Sequence, residues 1–335
     1  MMEFFLDYGL FFAKTITLVI MFVLVIGFIS SLAARGQHAN RLQIKNVTQR
    51  YEKTKEHVQR EVLSKKAFKK IQKSQKKAAK SKKEESRQRV FVLRFVGNIK
   101  ASATKYLREE VSAILSVADK NDEVVLCLEN AGGLVHEHGF AASQLTRFKQ
   151  HGLALTVVVD KVAASGGYMM ACVADKVVAA PFSVIGSIGV IAQMPNFSRL
   201  LDKNGVDFEM IKAGENKRTI TMFGKNTDED RAKFTEQVED THELFKDFIH
   251  EQRAAVDLTK VATGEHWYGR RALELNLIDE LMTSDDYLWQ LSAVADIYEV
   301  SHIVPKSLSE KVMGSAQAAV DRVLTSAWQR SIFKA

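Results

Sequence analysis

Proline is nearly missing from this chain, at three residues in 335, and cysteine is scarcer still, at two. Cys127 and Cys172 stand far apart with no CxxC, which excludes a disulfide framework and a cysteine zinc site and leaves one disulfide at most. No internal repeat is visible. Acidic residues are scarce in one stretch only. Residues 35–89 hold 19 Lys and Arg against five Glu, a balance of +14, whereas residues 90–335 hold 27 basic against 33 acidic, a balance of −6. The net charge of +7 is therefore the property of one segment, not of the whole molecule.

Charge is absent altogether from residues 15–34, TITLVIMFVLVIGFISSLAA, 20 residues that are long enough to cross a hydrocarbon core of about 30 Å as a helix. A cleaved signal peptide is the competing reading, with Ser31-Leu32-Ala33 as its site, but the apolar run exceeds a signal's usual length and only Lys14 precedes it. An uncleaved single-pass anchor over 1–34 is expected. The basic excess follows the anchor, which by the positive-inside rule leaves the remainder in the cytoplasm; large domains override that rule, so the side stays open.

Residues 35–88 read as a basic helical stalk, with Ile44, Val47, Tyr51, Val58 and Val62 as a narrow apolar stripe. KKAFKKIQKSQKKAAKSKK within it has no aromatic platform beyond Phe68, so anionic lipid is a better partner for it than nucleic acid. From residue 89 to about 300, apolar strands at 90–96, 123–129 and 153–160 alternate with helical patterns at 106–118 and 139–150. Strand-helix alternation of this kind means βαβ units and a parallel sheet covered on both faces. Short strands are expected at 176–180, 188–193 and 207–212, and a long charged helix at 227–253, capped through Thr227 with Glu229 or Asp230. Residues 301–335 carry an amphipathic helix pattern, with Leu308, Val312, Ala316, Val320 and Leu324 on one stripe.

Ligands of parallel sheets collect at the carboxyl ends of the strands. Two such loops are rich in small residues: Glu129-Asn130-Ala131-Gly132-Gly133, and Lys161-Val162-Ala163-Ala164-Ser165-Gly166-Gly167. The glycines let backbone N–H groups approach a substrate, and a serine at a helix N-terminus sits where an oxyanion is stabilised. Taken alone, Ser165 reads first as an ordinary helix N-cap. No G-x-S-x-G elbow with a downstream acid and histidine is evident, and His242, His250 and His266 fall in charged surroundings. His136 and His138 lie near the first glycine loop, with a metal or base role as an outside alternative.

The ordered motifs ENAGG, AASGGY, GSIGV, IKAGENKRT and GEHWYGRRALELNLIDEL resemble those of the signal peptide peptidase A family of membrane serine peptidases, most closely its shorter SohB-type branch. The resemblance covers residues 90–285 and implies the α/β fold of Clp protease and the crotonases, here behind an N-terminal transmembrane helix. It implies Ser165 as nucleophile, Lys217 as general base with Lys212 and Lys225 as nearby rivals, Gly132, Gly133 and Gly166 as oxyanion donors, and Ser187 as the residue that orients the lysine. Asn130-Ala131 stands where the family often has a Ser-Pro pair. It also implies extended peptide substrates such as remnant signal peptides, homo-oligomers in a bacterial inner membrane, and no metal or cofactor. Pairing of Ser165 with Lys217 within one chain and between chains are both open.

A lysine with an ordinary pKa near 10.4 is neutral in about one part in 2,500 at pH 7, so such a base must be desolvated to work. The competing class is a crotonase-like enzyme or an inactive membrane scaffold on the same glycine loops. A crotonase needs a CoA pocket and acidic catalytic residues, whereas these loops offer Ser and Lys.

Overall fold

Apolar runs without polar alternation become strands buried on both faces, and this sequence supplies four of them for the middle of its sheet. The computed structural model describes residues 9–12, 14–22, 25, 42–81, 87–214, 217 and 219–303. Residues 43–302 form one compact unit. In chain order its strands are β1 (Leu42–Asn46), β2 (Gln88–Val96), β3 (Glu123–Glu129), β4 (Ala154–Val159), β5 (Val162–Ala164), β6 (Lys176–Ala179), β7 (Val184–Gly186), β8 (His266–Tyr268), β9 (Glu280–Leu281) and β10 (Ala295–His302). The helices are α1 (Val47–Val62), α2 (Lys65–Ser81), α3 (Thr104–Leu115), α4 (Val135–Gln150), α5 (Gly166–Ala171), α6 (Ser198–Lys203), α7 (Asp228–Gln252), α8 (Leu258–Val261), α9 (Gly269–Glu274) and α10 (Ser284–Ser292).

The fold is mixed α/β around a seven-stranded sheet in the order β1-β10-β2-β3-β4-β6-β9. From β10 to β9 every neighbouring pair is parallel. Register places Phe91, Val124 and Leu155 side by side, and Leu93, Leu126 and Val157 two residues on. Those residues share one face with the buried Leu107, Val111 and Ile114 of α3 and Leu145 and Phe148 of α4. The alternate residues Val90, Val92, Val125, Val158 and Val178 pack on the other face with Val47 of α1 and Tyr287 and Leu288 of α10. A second sheet, β5-β7-β8, is joined to the first by a parallel bridge between Asn130 and Ala163.

At four places the structure either differs from the sequence expectation or does not describe the residues concerned. First, the stalk expected over 35–88 divides: β1 pairs with β10, Ile44 lies in that strand, and the Thr48 hydroxyl accepts from Ile297 N–H at 2.9 Å. Second, the chain after β7 does not continue as a strand, because Ser187 adopts φ 52°, which turns the backbone out of extended geometry. Residues 188–193 and 207–212 have no regular structure. Third, the anchor region is described only at residues 9–12, 14–22 and 25, all helical, and no helix of the described residues is long and apolar enough to cross a membrane. Fourth, apart from residues 301 and 302 at the end of β10 and Ile303 just beyond it, the expected C-terminal helix lies outside the described residues. Both cysteines are free. The expected capping box on α7 is present, with the Thr227 hydroxyl accepting from Asp230 N–H at 3.1 Å and Asp230 accepting from Thr227 N–H at 2.9 Å.

Candidate active site

Ser165 is the single residue between β5 and α5, so the chain must reverse direction on it. It does so at φ 52° and ψ −122°, a conformation that strains any residue with a Cβ by about 1–3 kcal/mol. The strain is held in place from both sides. Ser165 N–H donates to the Gly186 carbonyl at 2.7 Å, and the Ser165 carbonyl accepts from Met169 N–H at 3.0 Å in the first turn of α5. Although Ser165 occupies the N-cap position, its side chain makes no capping bond. The residue is half-buried, and its hydroxyl has no hydrogen bond among the described residues. This is the strand-turn-helix geometry of a nucleophile elbow without the elbow's sequence.

Glycines close around it because nothing larger fits. A Cβ at Gly132 would lie 2.7 Å from the Ser165 Cβ and 2.9 Å from Gly166 N, and Gly132 itself has φ +92°. A Cβ at Gly167 would meet the Asn130 carbonyl oxygen at 2.0 Å, and one at Gly166 would meet the His138 ring at 2.4 Å. Gly133 is pressed against the Ile99 backbone at φ +154°. The N–H groups of Gly133 and Gly166 have no acceptor among the described residues, whereas Gly132 N–H donates to Asn130 Oδ1 at 2.9 Å.

Ser187 follows β7 as Ser165 follows β5. The two strands pair Val162 with Val184, Ala163 with Ile185 and Ala164 with Gly186, so both serines come directly after paired strand ends. Both serines have φ 52°. Ser187 N–H donates to the Glu265 carbonyl at 2.7 Å.

Lys217 is placed differently. It follows Gly214 in an irregular segment, donates its N–H to the Gly214 carbonyl at 3.2 Å, and has an exposed side chain. No hydrogen bond or ion pair of the described residues links it to Ser165 or Ser187. Glu215, Asn216 and Arg218 lie outside the described residues. The same segment is organised by Asn196, whose amide donates to the Thr221 and Gly224 carbonyls at 2.9 and 3.0 Å, and by the Lys225–Asp202 ion pair at 3.2 Å. Two open clefts of about 500 and 430 Å³ flank it, one against α7 at Lys212 and Thr219, the other under Phe208 and Phe223; Ser165 lines neither.

Polar contacts tie α5 and the end of α7 to residues 276–279. Tyr168 donates to the Leu277 carbonyl at 3.0 Å. Arg253 at the end of α7 grips Asp279 with two bonds at 2.7 and 3.0 Å. Burial draws the Asp279 carboxyl upward, but the Arg253 guanidinium and Val177 N–H outweigh it and hold it below the ordinary carboxylate range. Cys172, fully buried beneath α5, has its thiol pushed up to about 12 by desolvation, which makes it inert.

His136 is exposed, while His138 is fully buried on the face of α4 that packs inward with Ala141, Ala142, Leu145 and Phe148. Neither joins a cluster able to hold a metal ion among the described residues. Asn130 carries one local signal of its role, a polar residue closing an apolar strand just before two glycines.

A serine at a strained strand-helix turn, beside glycines with unspent N–H groups, is an arrangement able to support acyl transfer. Family comparison makes the class specific: residues 3–145 match the N-terminal model of peptidase family S49 and residues 147–297 match the peptidase family S49 model, and the chain belongs to that family. It is a peptidase. Among its relatives are a probable protease SohB of Haemophilus influenzae, 45% identical over 95% of this chain and 94% of that one, and a probable protease SohB of Buchnera aphidicola from Schlechtendalia chinensis, 45% identical over 86% and 99%. Among solved structures, a mutant of the 1510-N membrane-bound stomatin-specific protease in complex with a substrate peptide is 14% identical, with a TM-score of 0.42 over 69% of this chain and 99% of that one.

Proposed function

We propose that the chain is a membrane-anchored serine endopeptidase in which Ser165 is the nucleophile and Lys217 the general base, acting on extended peptides such as remnant signal peptides. The observation that carries this reading is the strained, unbonded serine of the β5–α5 turn. Ser165 attacks the peptide carbonyl, Lys217 takes its proton and passes it to the leaving amine, and water then cleaves the acyl-enzyme. Gly133 and Gly166 are the oxyanion donors in this scheme, while Gly132 serves by close approach, its N–H being committed to Asn130. Ser187, which follows β7 as Ser165 follows β5, orients the lysine amine.

The base comes from a second copy of the chain in this proposal. Lys217 is exposed and unconnected to Ser165, and its segment exposes Ile191, Val206, Phe208, Ile211 and Phe223, an apolar surface that association would cover. Association would also exclude water from the lysine and give the desolvation a basic amine needs. The domain, Clp protease-like or crotonase-like in this reading, sits at a bacterial inner membrane behind the apolar segment 15–34, with the basic α2 near anionic lipid.

A serine-directed phosphonate tests the nucleophile: labelling is expected at Ser165 and absent from Ser165→Ala. Mixing inactive Ser165→Ala and Lys217→Ala chains under verified subunit exchange tests the pairing, because a hybrid contact carries one intact serine and one intact lysine. Recovered hydrolysis supports pairing between chains. Exchange without recovery refutes it.

A further inference from the structure

We propose that Asn130 and His138 form a positioning clamp that sets the glycine loop against Ser165 for peptide hydrolysis, an inference that rests on the Ser165 reading above. Asn130 is 1% exposed, and each of its polar atoms is engaged. Its backbone N–H donates to Val162 O at 2.8 Å and its carbonyl accepts from Ala164 N–H at 3.0 Å, which ties the end of β3 to β5. Its Oδ1 accepts from Gly132 N–H at 2.9 Å and lies 3.3 Å from His138 Nε2, while Nδ2 faces Met170 Sδ at 3.3 Å. The Gly132 contact identifies the oxygen, since an inverted amide would set NH2 against N–H.

His138, fully buried, has its Nδ1 2.9 Å from the Leu134 carbonyl oxygen. Its ring also fills the space over Gly166, where a Cβ would come within 2.4 Å of the ring. One side-chain pair thus touches both sources of oxyanion donors: Gly132, which precedes Gly133, through Asn130, and Gly166 through the imidazole. Taking the Gly132 N–H out of play removes one of the conformations in which the loop could turn, and leaves Gly133 as its free donor. Catalytic donors must hold position to about 0.5 Å, and a misplacement of about 1 Å lowers rate on the order of 10²-fold. Both ring nitrogens face acceptor oxygens and a neutral ring has one N–H to give; in this proposal that N–H is on Nε2 and serves Asn130 Oδ1.

Two near-isosteric replacements separate the ring's two ends. His138→Gln keeps a donor where Nε2 stands, and His138→Asn keeps one where Nδ1 stands. In the full chain purified in detergent, His138→Asn and Asn130→Ala are expected to lower kcat roughly 10–100-fold with KM within about threefold. His138→Gln is expected to recover about tenfold of that loss, which a purely space-filling histidine would not require. Amide hydrogen exchange at Gly132 should be slow in the wild-type chain and in His138→Gln, and faster in His138→Asn and Asn130→Ala. Equal kcat in the two His138 variants, or Gly132 exchange that Asn130→Ala leaves unchanged, overturns the clamp. Phosphonate labelling run in parallel keeps the two readings apart: a wild-type chain unlabelled at Ser165 refutes the nucleophile, while Gly132 exchange decides the clamp whichever way labelling falls.

Discussion

Replacing Gly167 by alanine is the most direct probe of how tightly the Ser165 turn is packed. The added methyl would stand 2.0 Å from the Asn130 carbonyl oxygen, 2.9 Å from its carbonyl carbon and 3.1 Å from its Cβ. An ordinary C···O approach is about 3.3 Å, so roughly 1.3 Å of displacement is needed. Asn130 cannot yield that much freely, because its backbone is bonded at 2.8 and 3.0 Å to β5 and its side chain is enclosed. Overpacking costs about 1–3 kcal/mol and a broken buried backbone bond about 1 more, which gives about 2–4 kcal/mol in total. For a unit of this size that lowers Tm by about 4–16 °C. Because the displaced loop carries Gly132 and Gly133, peptide hydrolysis should fall on the order of 10²-fold as well. Gly139→Ala in α4 is the control: its nearest neighbour is Met169 Sδ at 3.9 Å, and alanine should add about 0.5–1 kcal/mol of helix stability. Thermal melts followed by circular dichroism, paired with hydrolysis rates on the same preparations, read both effects. A Gly167→Ala chain that melts within about 1 °C of wild type and keeps its rate within about threefold refutes the packing argument.

Thr227→Ala removes one half of the capping box on α7 and should destabilise the domain by about 1 kcal/mol in urea titration, with no change in the slope of the transition. Asp279→Asn should destabilise by about 2 kcal/mol at pH 7, a figure reduced from that of a fully buried pair because Asp279 is 39% exposed. The folded Asp279 carboxyl titrates below its unfolded value, so its contribution is full above the ordinary carboxylate range and is lost as pH falls through the folded value. The urea midpoints of wild type and Asp279→Asn should therefore converge as pH falls below the ordinary carboxylate range. If the gap is as wide there as at pH 7, the ion pair is not its source. The uncharged segment 15–34 should keep the full chain with membranes after alkaline carbonate extraction, and release into the supernatant would show that it does not span the bilayer.

Much of the architecture was legible in the chain because hydrophobic periodicity is local. The runs VFVLRFV, EVVLCLE and ALTVVV could only be strands buried on both sides, and β2, β3 and β4 lie where that pattern put them. The start of α7 was equally readable, since a threonine followed at the third position by an aspartate carries its capping bonds within one turn. Ser165 could be singled out as a candidate, but not separated from an ordinary N-cap, because the distinction lies in where its hydroxyl points. Tertiary structure decided the backbone there, holding Ser165 at φ 52° between the Gly186 carbonyl and α5 with no capping bond from its side chain. It also decided that Ser165 and Ser187 come directly after paired strand ends, which depends on a register that no local pattern encodes. The burial of His138 and the bonds of Asn130 have the same origin: α4, β3 and α5 must converge before a histidine on one helix meets an asparagine at the end of a strand. The edge strand β1 makes the point in reverse. Its residues LQIKN carry a helical stripe when joined to Val47 and Tyr51 of α1, and only the open edge of β10 makes them extended. Short-range propensity is decided by neighbours a few residues away, whereas register, strain and the meeting of side chains depend on elements tens to hundreds of residues apart, and those are properties of the packed chain alone.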